Sequence, residues 1–207
     1  MAFQLASILE TTAFQFLDEV LAEFHSKDGF AKTNRWEILI TPPTGNRGGS
    51  TGNIFAPIMG ANVGEGVTQK TALMCEAFSF PGRNLTTTPD TNLYGPEREM
   101  VNGYTFGDIS STFRLSSDHK EKQFFDTWQR LAYNPQDFSI GYYYDYVGEI
   151  RLYQLDEQDR RRYGIKLLEC FPKTVDQMTV TQGAGDLQRV NVTWAYRYWL
   201  SLADEPN

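Results

Sequence analysis

Residues 189–200 constrain this chain more than any other segment. Val190, Val192, Trp194, Tyr196 and Tyr198 alternate with Asn191, Thr193, Ala195, Arg197 and Trp199. A period of two places each set on one face of an extended strand. Large aromatics on both sides near its end predict that both faces are covered. A strand of this kind is not stable alone, so the rest of the chain has to supply a sheet.

Several segments are suited to that sheet. Residues 35–41 read as a strand stopped by Pro42-Pro43, and 71–80 as another that ends at Pro81-Gly82. Residues 97–106 and 109–116 read as two strands joined through Gly107-Asp108. Residues 149–155 and 162–171 read as a hairpin with a charged, solvated tip at 156–161, and Pro172 ends its second strand. The run Tyr142-Tyr143-Tyr144 lies beside a strand, where core packing is the ordinary outcome. The chain is 41% hydrophobic and 14% aromatic, with the aromatics in short clusters that fit a pleated, half-buried surface. The expected fold class is mainly β with flanking helices.

Two helices are predicted. From residue 5 to about 26, apolar residues recur at spacings of three and four, among them Leu17, Val20 and Leu21, and glycine at 29 is a plausible stop. That stripe packs either on the chain's own sheet or on a neighbouring subunit. The second helix starts at Asp118, with Glu121 completing a capping box. It carries Phe124, Phe125, Trp128, Leu131 and Ala132 on one face and ends at Asn134-Pro135. Between residues 42 and 70 lies a glycine-rich stretch with a single apolar island at 54–59. A loop of this length is usually functional or disordered. Leaving Phe55, Ile58 and Met59 in water costs free energy, so the island is expected to dock on an adjacent subunit or to fold back on its own core.

At 207 residues and 23.6 kDa the chain is of single-domain size and long enough to bury a sizeable core. Its net charge of -7 argues against a protein that grips nucleic acid through a basic face. It is compatible with a surface that DNA slides past, lined by acidic side chains. Cys75 and Cys170 lie in separate apolar runs and read as buried structural thiols rather than a disulfide. No stretch of about 18 consecutive apolar residues marks a membrane span. The first residues lack the charged lead of a signal peptide, so folding in a reducing cytoplasm is expected.

Catalysis finds little support. His25 and His119 both sit at predicted helix ends in polar surroundings. No His/Cys spacing suits a metal, no Gly-x-Ser-x-Gly elbow appears, and the glycine-rich stretch lacks the Gly-Lys-Ser/Thr ending of a phosphate loop. No catalytic, metal-binding or cofactor-binding residue is assigned, and no cofactor is expected.

Six segments then occur in a telling order. They are Gly29-Phe30-Ala31-Lys32-Thr33-Asn34-Arg35-Trp36, Cys75-Glu76-Ala77-Phe78-Ser79-Phe80-Pro81-Gly82, and Lys122-Gln123-Phe124-Phe125-Asp126-Thr127-Trp128. Tyr144-Asp145-Tyr146-Val147-Gly148, Glu169-Cys170-Phe171-Pro172-Lys173-Thr174-Val175 and Val192-Thr193-Trp194-Ala195-Tyr196-Arg197-Tyr198-Trp199 follow. Together they resemble the tail tube proteins of T4-like contractile phages, including baseplate and tube-junction paralogues, over about residues 29–200. The resemblance implies a β-sandwich or half-barrel tail-tube fold. It also implies inner sheets that join into a continuous barrel in a hexameric ring.

It divides the chain into an N-terminal helical extension (1–28), a β domain (29–203) containing the 42–70 loop, and a short tail (204–207). It implies a non-enzymatic virion protein, assembled in the host cytoplasm into homohexameric rings stacked as a tube. The implied partners are the sheath, baseplate hub and tail terminator proteins, with phage DNA passing through the lumen without specific binding. Phe55, Ile58, Met59, Leu17, Val20 and Leu21 are the candidate inter-subunit contacts. The N-terminal helix and the long loop depart from the family pattern and suit a tube-initiating or baseplate-junction paralogue as the alternative. A monomeric β-sandwich that binds carbohydrate through Tyr142-Tyr143-Tyr144 is the rival from another class.

Overall fold

A computed structural model describes residues 31–43, 71–91, 94–183 and 185–202. The predicted helix at 5–26, nearly all of the 42–70 loop, His25 and all six candidate contact residues lie outside the described residues. The chain divides into two compact units, one comprising Met1–Glu37 with Tyr153–Gly164 and the other Ile38–Leu152 with Ile165–Asn207.

The fold is mainly β with flanking helices and open sheets. The strands are β1 (Trp36–Thr41), β2 (Cys75–Phe78), β3 (Asn84–Asp90), β4 (Arg98–Thr105) and β5 (Ile109–Arg114). Helix α1 (Lys120–Ala132) and a single turn, α2 (Tyr143–Tyr146), follow. Then come β6 (Gly148–Leu155), β7 (Arg161–Val175), β8 (Arg189–Ala195) and β9 (Tyr198–Ser201). Seven strands form one sheet in the order β1-β6-β7-β8-β5-β2, with β9 paired to β7. Strands β3 and β4 pair only with each other.

In the larger unit the core lies between one sheet face and α1. Ile109 and Phe113 on β5 and Val190, Val192 and Trp194 on β8 are all buried, as period-two alternation requires. Phe124, Phe125 and Trp128 of α1 are wholly buried against them. The contact is aromatic: Phe113 to Phe125 at 4.8 Å, Phe125 to Trp194 at 5.8 Å and Trp128 to Trp194 at 5.5 Å between ring centres. The Trp194 indole N–H donates to Ser111 Oγ at 2.7 Å, and Ser111 Oγ donates to the Val192 carbonyl at 3.2 Å. No polar atom of that tryptophan is therefore left unpaired in the core.

The helix start differs from expectation. Its N-cap is His119, exposed and left-handed at φ 51°, with no side-chain cap bond. Asp118 pairs instead with Lys120 Nζ at 2.9 Å. Glu121 is buried and accepts from Ser116 N at 3.0 Å and Ser116 Oγ at 2.8 Å. The carboxylate thus binds the loop before the helix rather than closing a capping box, because the chain enters the helix through a tight left-handed turn.

Three strand expectations also shift. Pro172 does not end β7, which continues to Val175. The register against β8 slips between Pro172 and Thr174, and a bulge is where a residue without an N–H is tolerated. Residues 189–200 are not one strand, since β8 ends at Ala195 and β9 begins at Tyr198. On β7, Glu169 adopts φ 53° beside that break. Buried positions pass from Ile165 and Leu167 to Cys170 and Pro172, so this bulge resets the alternation and keeps apolar residues inward on both halves. Finally, residues 71–73 are helical and β2 is only four residues long.

In the smaller unit, the lead to β1 is bound by the tip of the β6–β7 hairpin. Gln154 Nε2 donates to the carbonyls of Lys32 at 2.7 Å and Arg35 at 2.8 Å. The hairpin tip is not merely solvated. Asp156 accepts from the Gln158 and Arg160 amides at 2.8 Å each, and from Arg160 Nε at 2.8 Å and Arg162 Nε at 2.9 Å. Desolvation opposes its charge, but those donors hold the carboxyl well below the usual range.

Candidate functional site

Two surfaces of the larger unit stand out. The first is the β3–β4 ribbon, exposed along nearly its whole length on both faces. Leu85 is 59% exposed, Met100 55%, Val101 59% and Tyr104 62%. Cross-strand bonds hold it: Thr87 Oγ1 donates to Glu99 at 2.8 Å and Asn102 to Thr88 at 2.6 Å. Its root is an aromatic cluster. The Arg83 guanidinium lies 4.9 Å from the Trp199 ring centre, 5.9 Å from Tyr104 and 6.0 Å from Phe106. Tyr104, Phe106, Arg197 and Tyr198 line an open groove beside it. An isolated two-stranded ribbon is marginal in water, and this one exposes apolar side chains that the other described residues leave uncovered.

The second surface is the strand face turned away from α1. Across β2, β5 and β8 it carries Glu76, Ser110, Thr112, Arg114, Arg189 and Asn191. Arg114 Nη2 reaches Glu76 Oε1 at 3.0 Å, and Arg189 Nε reaches Oε2 at 2.7 Å. Hydrogen bonds from Arg114 and then Arg189 hold the Glu76 carboxyl down to about 2. Thr112 Oγ1 donates to Asn191 Oδ1 at 2.9 Å. On β6 and β7 the arrangement recurs, with Glu149 bound by Arg151 at 2.6 Å and Lys166 at 3.2 Å.

A third feature corrects an expectation. Tyr142 is 84% and Tyr144 78% exposed, so the tyrosine run is not core. It forms the α2 turn, where Tyr146 packs edge-on against Phe171 at 5.2 Å. Burial, and then the Glu169 carboxylate, push the Tyr143 phenol up to about 12.

No group of three metal-ligating side chains occurs among the described residues. Cys170 is buried and Cys75 half-buried, both are free, and burial pushes the Cys75 thiol up to about 12. No described helix is long and apolar enough to cross a membrane.

The six contact residues picked from sequence are outside the described residues, while the ribbon was only half foreseen. Strand β4 was expected as part of 97–106, but β3 was missed. Its signal was the β-branched run Thr86-Thr87-Thr88, masked by Pro81-Gly82 before it and Pro89 within it.

These elements define a mainly β fold with open sheets, an exposed ribbon and a charge-paired sheet face. Residues 31–202 match the family model described as phage tail tube protein, and the chain belongs to that family. Its fold is similar to a chain of the sheath-tube complex of the PVC extracellular contractile injection system in its extended state. The TM-score is 0.52 at 7% identity, covering 83% of this chain and 90% of that one. It is also similar to the sheath/tube terminator of that system, with a TM-score of 0.53 at 8% identity, covering 82% and 94%. An Hcp protein is similar at a TM-score of 0.40 and 11% identity, covering 81% and 91%. No curated protein matches the sequence.

Proposed function

We propose that this chain is a subunit of the inner tube of a contractile phage tail, closing with five copies of itself into a ring that stacks into a conduit. The observation that carries the reading is the β3–β4 ribbon, which leaves Leu85, Met100, Val101 and Tyr104 more than half exposed. Family membership supports a neighbouring copy as its occupant. Phe55, Ile58 and Met59, with Leu17, Val20 and Leu21, supply further contacts between copies. Permanent interfaces bury on the order of 2,000–5,000 Å², and a tube that survives contraction belongs in that range.

The polar strand face opposite α1 borders the lumen in this reading, and genome DNA passes it without specific binding. The sheath surrounds the tube, and the baseplate hub and terminator close its ends. The tube is a virion component, assembled in the host cytoplasm.

A junction or initiator role is the second reading. The fold is about as similar to a chain of the sheath/tube terminator as to a chain of the sheath-tube complex, with TM-scores of 0.53 and 0.52. Negative-stain electron microscopy across a protein concentration series separates the two. Hollow tubes establish the tube subunit. Single six-fold rings that never stack establish the junction role. Monomers at every concentration, with and without baseplate components, overturn both.

A further inference from the structure

Strands β3 and β4 pair from Asn84–Thr105 to Asp90–Arg98, and Asn102 bulges β4 between the Thr86–Gly103 and Thr87–Val101 pairs. A bulge disrupts the alternation of the strand that carries it, while the partner strand stays regular. Leu85 and Thr87 of β3 therefore share one face with Tyr104 and Val101 of β4, and Thr86, Thr88 and Met100 take the other. Side-chain bonds agree with this division, since Thr87 meets Glu99 on the first face and Asn102 meets Thr88 on the second. The first face runs into the aromatic root, where Tyr104 packs edge-on against Phe106 at 5.3 Å. It ends there on Arg83, an exposed guanidinium stacked on Trp199, with which no carboxylate pairs among the described residues.

We infer that this face receives the N-terminal amphipathic segment, residues 5–26, of a neighbouring copy, with Arg83 bonded to a carboxylate on the border of its apolar stripe. By sequence that stripe includes Leu17, Val20, Leu21 and Phe24, and Glu19 and Glu23 lie four apart along one border. Residues 5–26 contain no lysine or arginine, so the charge of the segment complements Arg83. A helix over that range spans about 33 Å, enough to cover a ribbon whose strands run about 25 Å. Packing against a helix is one way a two-stranded ribbon becomes stable. Glu99 lies toward the far end of the same face and repels carboxylates, so the acidic border sits at the root. The inference rests on the tube reading for its neighbouring copy and names what covers the ribbon there.

The first test is fluorescence anisotropy of a labelled peptide of residues 5–26 with the full-length protein, titrated across salt. Leu85→Ser with Val101→Ser should weaken binding about tenfold, whereas Thr88→Ala with Met100→Ser on the opposite face should leave it unchanged. Arg83→Gln should weaken it about threefold and flatten its salt dependence. Glu19→Gln with Glu23→Gln in the peptide should do the same, and joining the two changes should add little, as expected for two ends of one contact. The peptide variants leave the folded protein untouched, so they read the contact even if a ribbon variant misfolds. The second test mixes a Val101→Cys protein with a Leu21→Cys protein under mild oxidation, with wild type and its native cysteines as background. A mixed disulfide-linked dimer should form only in the mixture.

Peptide binding that ignores the choice of ribbon face, or ignores Arg83, overturns the inference. Intrachain linkage in a protein bearing both cysteine substitutions, diluted until monomeric, overturns the assignment to a neighbouring copy. Normal tubes from a mixture that gives no linked dimer overturn the docking and leave the conduit reading standing. Face-specific, Arg83-dependent binding by a protein that never forms rings or tubes retains the docking and removes the conduit reading.

Discussion

Gly148 sits where no side chain fits. A Cβ there would lie 2.6 Å from the Thr41 carbonyl oxygen, 2.6 Å from Trp128 Cζ2 and 2.9 Å from Cη2. The tryptophan cannot swing aside, because its indole N–H donates to the Tyr146 carbonyl at 2.6 Å and its ring packs on Trp194. Gly148→Ala should therefore cost about 1–3 kcal/mol of stability with the fold retained, as overpacking does. Urea unfolding measures it, and an unchanged midpoint would remove this account of the glycine. The sequence displayed Tyr144-Asp145-Tyr146-Val147-Gly148 as one of the ordered segments that resemble the tail tube family. The reason, the Trp128 ring lying where a Cβ on Gly148 would go, is visible only once both are placed.

At the element scale the ribbon is the part whose sequence and environment disagree. Leu85, Met100 and Val101 belong in a buried sheet by residue type, yet more than half of each is exposed. Changing all three to Ser should leave the thermal unfolding of the monomer within a few degrees of wild type while abolishing rings and tubes in electron micrographs. Tubes of normal length from that variant would sink the ribbon as an assembly arm. Elements whose signal is local were legible in advance. The aromatic face of α1 and the alternation of Val190, Val192 and Trp194 follow from side-chain period alone. Pro172 and Asp118 misled for a shared reason. A proline stops a strand, and an aspartate caps a helix, only if nothing nearby absorbs the missing donor or offers a better partner. Here a bulge and a left-handed His119 do so.

Across the whole molecule, charge pairing ties distant strands together and predicts a loss of stability in acid. The Glu76 carboxyl is held down to about 2 by its two arginines, and Asp156 and Glu157 are also held below their ordinary range. For a carboxylate whose folded value is depressed, the unfolded chain takes up protons first, so stability is complete above the ordinary value and is lost as pH falls. For Glu76 that window runs from 4.5 down to about 2. Guanidinium unfolding at steps of pH should show wild-type stability falling through this window. In Glu76→Gln the fall should be shallower, the remainder coming from the hairpin tip. Parallel slopes for the two proteins would contradict the assignment to Glu76.

The sequence by itself determined the mainly β class with flanking helices, most strand positions and the aromatic helix face. It also carried the ordered segments that resemble the tail tube family. Those properties depend on side-chain period and on residues close together in the chain. Only the tertiary structure decided that β4 turns away from β5 to pair with β3, and that the 189–200 strand breaks opposite Glu169. It alone placed Glu76 between arginines 38 and 113 residues away. Strand partnership and charge pairing are long-range choices, settled by which apolar faces can be buried together, and a linear pattern does not encode them locally.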